Sequence, residues 1–299
     1  MQWDDLKVFL AVARAESLSG AGRVLRADPA TVGRRVQRLE QAMGAPLFAK
    51  SPQGYLLSVD GQRLLAHAER AEQAVTGAVE ALGERAGQLS GQVRIGAPDG
   101  CATYLLPQVC ARLSRDNPDL DIQIVAAPRV VSLSKREADM AIAVSTPAAG
   151  RLSVQKITDY SLHLAAFRGY LRDAPPIESL DDLRHHPIVG YIPDMIFDKE
   201  LDYLSEAGIA RVALASNAIP VQLGLIRAGA GIGIVHDFAL PSAPRLRPVL
   251  RDAFALTRSF YLLRHPDDRR VERLNRVAEA VAAGVRAEVQ RLEAEAAER

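Results

Sequence analysis

The sequence predicts an α/β protein in which a small helical head and one long helix precede a larger α/β body. Three observations lead to this prediction. They are three short amphipathic segments within the first 43 residues, a proline-free stretch rich in Ala, Glu and Arg from Asp60 to about Leu89, and alternating strand-like and helix-like segments after residue 92. The chain has 299 residues, and at about 150 residues per domain this length accommodates two domains.

The composition is that of a globular protein. Hydrophobic residues make up 48% and charged residues 24% of the chain, which excludes a disordered chain. Lys and Arg number 37 against 36 Asp and Glu, so the whole chain is not a polycation. No apolar run approaches the roughly 20 residues of a membrane helix, and the N-terminus lacks the basic and apolar regions of a signal peptide. We therefore expect a cytoplasmic protein without membrane contact.

Catalytic and metal-binding motifs are absent from the sequence. The patterns G-x-S-x-G, H-E-x-x-H and Walker A do not occur, and the histidines lack metal-ligand spacing. The two cysteines, Cys101 and Cys110, are too few for a disulfide framework. We predict no catalytic residue, no metal and no cofactor, and hence no enzyme activity.

Three helices are predicted in the head. Trp3, Leu6 and Phe9 begin an apolar pattern with helical spacing. A second short helix fits residues 19–25, with Ala21, Val24 and Leu25 facing inward. Asp28 then has the position of an N-cap and Pro29 that of the first residue of a third helix, which extends to Met43.

The third predicted helix has two different faces. Val32, Val36, Leu39 and Met43 form one apolar stripe, and the opposite side carries Thr31, Arg34, Arg35 and Arg38. Arginine suits both guanine edges and phosphates, and residues 1–58 carry eight basic against five acidic side chains. A second helix of this kind after a short turn is typical of a helix-turn-helix that enters the DNA major groove. The alternative is an ordinary solvated amphipathic helix.

A hairpin is predicted directly after this helix. Residues 47–50 and 55–58 pair across the turn Ser51-Pro52-Gln53-Gly54. As a wing beside the third helix, it would bring Lys50 and the turn near the DNA backbone. The alternative is a hairpin with a purely structural role.

These residues resemble the winged helix-turn-helix of LysR-type transcriptional regulators. The matching landmarks, within residues 3–67, are Leu6-x-x-Phe9, Ser17-Leu18-Ser19-x-Ala21, Leu25, Arg34-x-Val36-x-x-Leu39-Glu40, Met43-Gly44-x-x-Leu47-Phe48 and Leu57-Ser58-x-x-Gly61. The remaining chain has the layout of the family, so the resemblance covers nearly the full length. Three positions depart from it: Gly22 replaces Ala, Gly33 replaces Ser and Lys50 replaces Arg. Each helical glycine is expected to cost about 1 kcal/mol relative to alanine.

The resemblance implies a sequence-specific DNA-binding regulator that responds to a small-molecule effector. The implied DNA-binding residues are Ser17, Ser19, Pro29, Ala30, Thr31, Gly33, Arg34, Arg35, Arg38, Lys50 and Gln53. Its implied partners are a double-stranded DNA operator and RNA polymerase. The alternative function is a metabolic enzyme or ligand-binding protein that uses the α/β body, with the head as an interaction module; the missing catalytic motif counts against it.

The long helix carries a heptad-like stripe. Its members, spaced three and four residues apart, are Leu64, Ala68, Ala71, Val75, Ala78 and Leu82. Either this stripe packs on the helix's own chain or it pairs with a second copy. The resemblance implies the second arrangement: a homodimer with two half-sites on the operator, assembling further into a tetramer.

The predicted domains are a winged helix-turn-helix at 1–59, a linker helix and hinge at 60–91, and an effector-binding domain at 92–299. The body's strands are predicted at 93–97, 122–125 and 140–144, with a helix between the second and third. The resemblance implies a two-lobed, periplasmic-binding-protein-like fold, with lobe I at 92–161 and 265–299, lobe II at 162–264, and crossovers near 161–163 and 263–265. A final helix should pack through Val285, with Glu288 and later residues forming a solvated tail.

The resemblance also implies an effector cleft between the lobes. Its matching residues are Pro98, Asp99, Gly100, Cys101, Thr103, Ser145, Thr146, Ser216 and Asn217. Hydroxyl groups and helix N-termini suit an anion, so we expect a small carboxylate as effector. Alternatively, the same hydroxyls are only helix caps. Cys101 is either a redox-sensing thiol or a small buried filler, and the filler is favoured because the two cysteines cannot pair along one helix.

Overall fold

The computed structural model of the protein describes residues 2–51, 54–83, 88–126, 133, 137–147, 152–209, 211–266, 268 and 271–298. Its contacts divide the chain into two compact units, Met1–Ala86 and Gly87–Arg299. The long helix therefore belongs to the head unit by its contacts, while a separate hinge at 60–91 stays a prediction. No helix in the described part of the chain is long and apolar enough to cross a membrane.

The head unit contains four helices and one hairpin among its described residues. In chain order these are α1 (Trp3–Ala15), α2 (Leu18–Leu25), α3 (Pro29–Met43), β1 (Phe48–Ser51), β2 (Gly54–Leu57) and α4 (Val59–Gly83). The bounds of α3 are those predicted, because its end signals are local. The Asp28 carboxylate accepts a hydrogen bond from the Thr31 amide at 2.8 Å, and Gly44 ends the helix at φ 67°. The hairpin is also confirmed, with Phe48 opposite Leu57.

The head core forms where α1, α3 and the hairpin meet. Phe9, Val32 and Leu39 are fully buried, and the Phe9 ring packs 5.3 Å from that of Phe48. Two predicted core residues are wrong: Val24 is 75% exposed and Met43 is 38% exposed. Both lie at the last turn of their helix, where no element among the described residues covers them.

The two unusual glycines of the head differ in the space around them. A Cβ added at Gly22 would lie 2.6 Å from the carbonyl oxygen of Ala27, a backbone atom. At Gly33 the nearest atom is a methyl of the flexible Leu18 side chain, at 3.3 Å. Close backbone approach therefore explains Gly22, and the expected helix-propensity penalty is offset there by packing.

Gly22→Ala is expected to destabilise the head, although alanine is the better helix former. The reason is that the backbone after α2 would have to move to admit the methyl group. Gly33→Ala serves as the matched variant, with an expected gain approaching the propensity difference of about 1 kcal/mol. Urea unfolding followed by the fluorescence of Trp3, the single tryptophan, measures both. A stabilised Gly22→Ala variant would contradict this packing.

The body unit is an α/β fold around one mixed sheet. Its elements are β3 (Gly91–Ala97), α5 (Asp99–Tyr104), α6 (Leu106–Asp116), β4 (Leu120–Ala126), β5 (Met140–Ala143), β6 (Ser153–Phe167), α7 (Arg168–Asp173), β7 (Ile188–Gly190), α8 (Tyr203–Glu206), β8 (Leu214–Ala215), α9 (Ile219–Arg227), β9 (Ile232–His236), β10 (Leu246–Pro248), β11 (Ala255–Arg264) and α10 (Glu272–Ala297). Short 3-10 turns occupy Leu180–His185, Pro193–Met195, Lys199–Leu201 and Asp237–Ser242. Most of the helix predicted between β4 and β5 lies outside the described residues.

The sheet connects two lobes through its two longest strands. Its hydrogen-bonded order is β4-β3-β5-β11-β6-β9-β7-β8, with β10 also paired to β6. β11 pairs with β5 of lobe I only from Tyr261 onward, and β6 pairs with β9 of lobe II from Leu162. The two-lobed architecture is thus confirmed. The exact crossovers, near 161–163 and 263–265, stay predictions.

The predicted solvated tail is wrong, because α10 packs along the body well beyond Val285. Glu288 is 3% exposed, and Val289 and Leu292 are also buried. Arg112 of α6 donates to Glu288 at 2.7 Å, which compensates the buried carboxylate.

Candidate nucleic-acid interface and ligand cleft

The face of α3 opposite the head core presents Arg34 to solvent. Its Nη2 donates to Oγ1 of Thr31 at 2.7 Å, and the side chain is otherwise exposed. Arg35 is half-buried beside it. Two guanidinium groups on an exposed, N-capped helix form a surface suited to bases and phosphates.

Arg38 has a different environment from Arg34. Its Nε donates to Oδ2 of Asp5 at 2.8 Å and its Nη2 donates to Oδ1 of the same carboxylate, which is 1% exposed. The hydrogen bond from Arg38 lowers the pKa of Asp5, against the opposing effect of burial. Arg38 therefore fastens α3 to α1, while its side chain is still half exposed, so its role as a DNA contact stays a prediction.

The other predicted DNA-binding residues differ in how exposed they are. Ser19, Pro29 and Ala30 are exposed, and Thr31 and Gly33 are partly exposed. Ser17 caps α2, its Oγ accepting a hydrogen bond from the Gly20 amide at 3.0 Å, so its hydroxyl already has a structural role. The side chain of Lys50 and the whole of Gln53 lie outside the described residues.

Sequence reasoning missed two acidic residues that position this surface. Neither Asp5 nor Glu40 was predicted to position α3; Glu40 entered only as a family landmark. Oε1 of Glu40 accepts hydrogen bonds from the amides of Leu47 at 2.8 Å and Phe48 at 3.2 Å, which holds the start of the hairpin against α3. A charged residue on the otherwise apolar side of a predicted helix is the signal that points to such a role.

The stripe on α4 is divided between two environments. Leu64, Ala68 and Ala71 pack against the head core, and Arg14 of α1 donates to Glu72 at 2.6 Å. These three residues contact their own head, Ala68 being fully buried there, and their role as dimer contacts stays a prediction. Val75 is 47% exposed and Ala78 is exposed, while nothing is described for the side chain of Leu82.

The cleft is spanned by two hydrogen bonds between the lobes. Oδ2 of Asp99, in lobe I, accepts a hydrogen bond from the Ile219 amide at the start of α9 in lobe II, at 2.6 Å. Oδ1 of Asp99 accepts from the Gly100 amide at 2.9 Å. At a second point, Oγ of Ser145 in lobe I donates to Asp198 in lobe II. Asp99 therefore caps α9 across the cleft, a role that Ala218 at its N-cap position has no side-chain group to fill.

The remaining predicted cleft residues form a mixed set. Thr146 and Thr103 are exposed, Pro98 and Gly100 begin α5, and Ser216 with Asn217 precedes α9. Oγ of Ser216 accepts from the Ala218 amide at 3.1 Å, which closes a turn just before α9 and does not cap the helix. Cys101 is corrected as an effector contact, because it is buried in the body core.

Burial also decides between the two roles considered for the cysteines. Cys101 and Cys110 lie on separate helices, α5 and α6, and not on one. Burial raises the pKa of both thiols, that of Cys110 to about 11. A reactive thiol needs a lowered pKa and access to solvent, so both cysteines are packing residues.

An aromatic cluster beside the cleft was not predicted. Tyr203 lies 5.9 Å from Tyr191 and 5.8 Å from His236, measured between ring centroids, and Tyr160 stacks on His236. Tyr191 and Tyr203 also line a cavity of about 200 Å³. Its other walls include Val189, Ile196, Leu204 and Gln222. No local sequence pattern marks these residues, since they come from β6, β9, the residue after β7 and the start of α8.

The order of parts and the surface of α3 define a class of protein. A winged helix-turn-helix head followed by a two-lobed α/β body is the architecture of a DNA-binding transcriptional regulator. Residues 3–62 match the family described as bacterial regulatory helix-turn-helix protein, lysR family, and residues 86–286 match the LysR substrate binding domain. The chain belongs to the LysR family of transcriptional regulators, and the relatives it matches are regulators, not enzymes.

Its similar proteins span most of the chain. The transcriptional regulator DgdR of Burkholderia cepacia is 29% identical over 264 residues, covering 83% of this chain and 85% of that protein. PtxR of Pseudomonas aeruginosa is 25% identical over 238 residues, covering 78% and 76%. A full-length OxyR variant from P. aeruginosa has a TM-score of 0.70 at 18% identity, covering 96% of this chain and 98% of the other. This structural likeness supports the fold.

Proposed function

We propose that this regulator binds an operator as a homo-oligomer through α3 and the hairpin, and that a small molecule in the interlobe cleft modulates its DNA binding or its activation of transcription. The exposed guanidinium of Arg34 on the Asp28-capped α3 is the observation that supports DNA reading most directly. Contact with RNA polymerase is part of the same proposal and rests on the family alone.

The cleft supports the regulatory part of this proposal. Two hydrogen bonds connect the lobes, one between Asp99 and the Ile219 amide and one between Ser145 and Asp198. A ligand bound between the lobes would contact these groups. A ligand shifts the regulator only if it binds one lobe arrangement more tightly than another. The carboxylate expected from the sequence stays a prediction; in this structure Asp99 engages the amide at the start of α9.

The DNA-binding part is tested by a gel shift with the intergenic DNA upstream of the protein's own gene. We expect retardation at low salt that persists with excess unrelated DNA, since base contacts add specificity to phosphate contacts. The absence of a retarded species at low salt, with the chain folded, contradicts the proposal.

Val75→Asp is expected to convert an oligomer into a monomer. Val75 is exposed on the single chain, and a buried carboxylate at an apolar helix pair would lack a partner. Gln62→Asp, at an exposed position on another side of α4, is the matched control. Sedimentation velocity measures the mass of each variant. An oligomer unchanged by Val75→Asp excludes this part of α4 as the interface.

A further inference from the structure

Lobe II contains a second cavity, distinct from the one beside Tyr191 and Tyr203. Its volume is about 670 Å³, which is in the range of small-molecule sites. Its walls come from the 3-10 turn Leu180–His185, the start of β7 and residues between α8 and β8. As far as the chain is described, neither Asp99 nor Asp198 lines it, so this cavity is separate from the interlobe cleft.

His186 lines this cavity and carries a buried nitrogen without a partner. The residue is 6% exposed, and its Nδ1 lies 2.7 Å from the hydroxyl of Tyr170. Burial raises the pKa of Tyr170 and lowers that of His186, so both rings are neutral. The phenol, as the stronger acid, donates to Nδ1, and Nε2 therefore carries the ring proton.

The proton on Nε2 has no acceptor among the described residues. Tyr170 holds the Nδ1 edge of the ring and does not line the cavity, so the edge that carries Nε2 lies on the cavity side of the ring. A buried donor left unsatisfied beside a cavity indicates a missing water or ligand that accepts a hydrogen bond.

Two arginines on the same walls lack an acidic partner. Arg184 and Arg211 both line the cavity and are exposed. Nε of Arg184 donates to Nε2 of His185 at 3.0 Å, and no carboxylate in the described part of the chain forms an ion pair with either guanidinium. Asp181 is the one acidic residue among the described lining residues. The cavity therefore has two cationic groups and a neutral donor against one negative charge.

The rest of the wall is apolar. Leu183 and Ile188 are buried residues of this lining, and Ile209 lies on the other side. A guanidinium group binds a carboxylate or a phosphate through paired N–H donors, whereas a hydrocarbon group gains from covering an apolar wall. An inorganic ion would leave most of the volume of this cavity unfilled.

We propose that this cavity is a second small-molecule site, which binds an organic anion through Arg184, Arg211 and His186. The carboxylate or phosphate group of the ligand accepts hydrogen bonds from these three side chains, and its apolar part covers Leu183 and Ile188. Because the site lies outside the interlobe cleft, this inference does not depend on the effector proposed for the cleft.

The test measures the binding of three probes to the full-length chain by titration calorimetry at fixed ionic strength. Phenylacetate and phenyl phosphate carry the two possible anionic groups, and phenylacetamide is the neutral analogue of phenylacetate. We expect at least one anion to bind, the tighter one identifying the anionic group, and the amide not to bind. Arg184→Ala and Arg211→Ala should each weaken this binding about tenfold, as for a lost hydrogen bond to a charged group.

His186→Asn retains an acceptor for Tyr170 but lacks Nε2, so it should also weaken the binding of the anion. Arg251→Ala removes an exposed arginine of lobe II that does not line the cavity, and this control should keep the wild-type affinity. If His186→Asn fails to fold, the two arginine variants decide the outcome, since both arginines are exposed.

Three results overturn the inference: binding of phenylacetamide as tight as that of phenylacetate, binding of neither anion, and wild-type affinity in both arginine variants. The gel shift is read separately, and Arg184→Ala and Arg211→Ala should retard DNA as the wild-type chain does. Weaker retardation by these variants would assign the arginines to DNA phosphates and also overturn the inference. A failure of DNA binding by the wild-type chain contradicts the proposed function alone.

Discussion

Arg38→Ala is expected to destabilise the head unit by more than the loss of an exposed ion pair would. The variant leaves the carboxylate of Asp5 at 1% exposure without the two hydrogen bonds that compensate it. Urea unfolding followed by Trp3 fluorescence measures the loss.

Arg63→Ala is the matched control for this prediction. Arg63 pairs with Asp60 at 3.3 Å on the surface of α4, with both side chains largely exposed, and such pairs contribute roughly 0–1 kcal/mol. An Arg38→Ala variant as stable as Arg63→Ala would show that Asp5 is solvated in solution.

The effect of Arg38→Ala should depend on pH. Arg38 lowers the pKa of Asp5 below its ordinary value of 3.8, so the pair stabilises the head above that pH and loses its contribution as the pH falls through the folded-state pKa. In the variant, Asp5 lacks the hydrogen bonds from Arg38, so its folded-state pKa is higher and it becomes protonated at a higher pH. The stability difference between wild type and variant should therefore narrow in acid, and a constant difference between pH 7 and pH 3 would contradict the assignment.

Arg34→Ala is expected to weaken operator binding by about 1–3 kcal/mol, the range for a lost base contact, which is roughly a 5- to 150-fold rise in Kd. Arg34 is exposed and its only described side-chain contact is Thr31 within the same helix, so the substitution leaves the head core intact. Fluorescence anisotropy with a DNA fragment retarded in the gel shift measures Kd.

Arg251→Ala controls for the loss of one positive charge. Arg251 is exposed in the body unit, so its removal should leave Kd unchanged. If Arg34 contacts only phosphate, its loss should weaken all DNA sequences equally and reduce the salt slope by about 1. An unchanged Kd for Arg34→Ala excludes this face of α3 as the reading surface.

Local signals in the sequence determined the elements of the head and the kind of protein. The N-cap Asp28, Pro29 and the closing Gly44 act within one helix, so α3 was predicted with its observed ends. The hairpin turn likewise needs only neighbouring residues. The same ordered set of landmarks was sufficient to indicate the family, because apolar spacing and caps depend on residues a few positions apart.

The tertiary structure alone decided which of the predicted site residues are free to act. Arg34 and Arg38 are both predicted on the polar side of α3, yet Arg38 is hydrogen-bonded to Asp5, 33 residues away. Asp99 meets the Ile219 amide across 120 residues, and Arg112 meets Glu288 across 176. Such pairings form because buried charges require partners. The folding of the whole chain determines which partners come within reach, and no local sequence pattern contains that information.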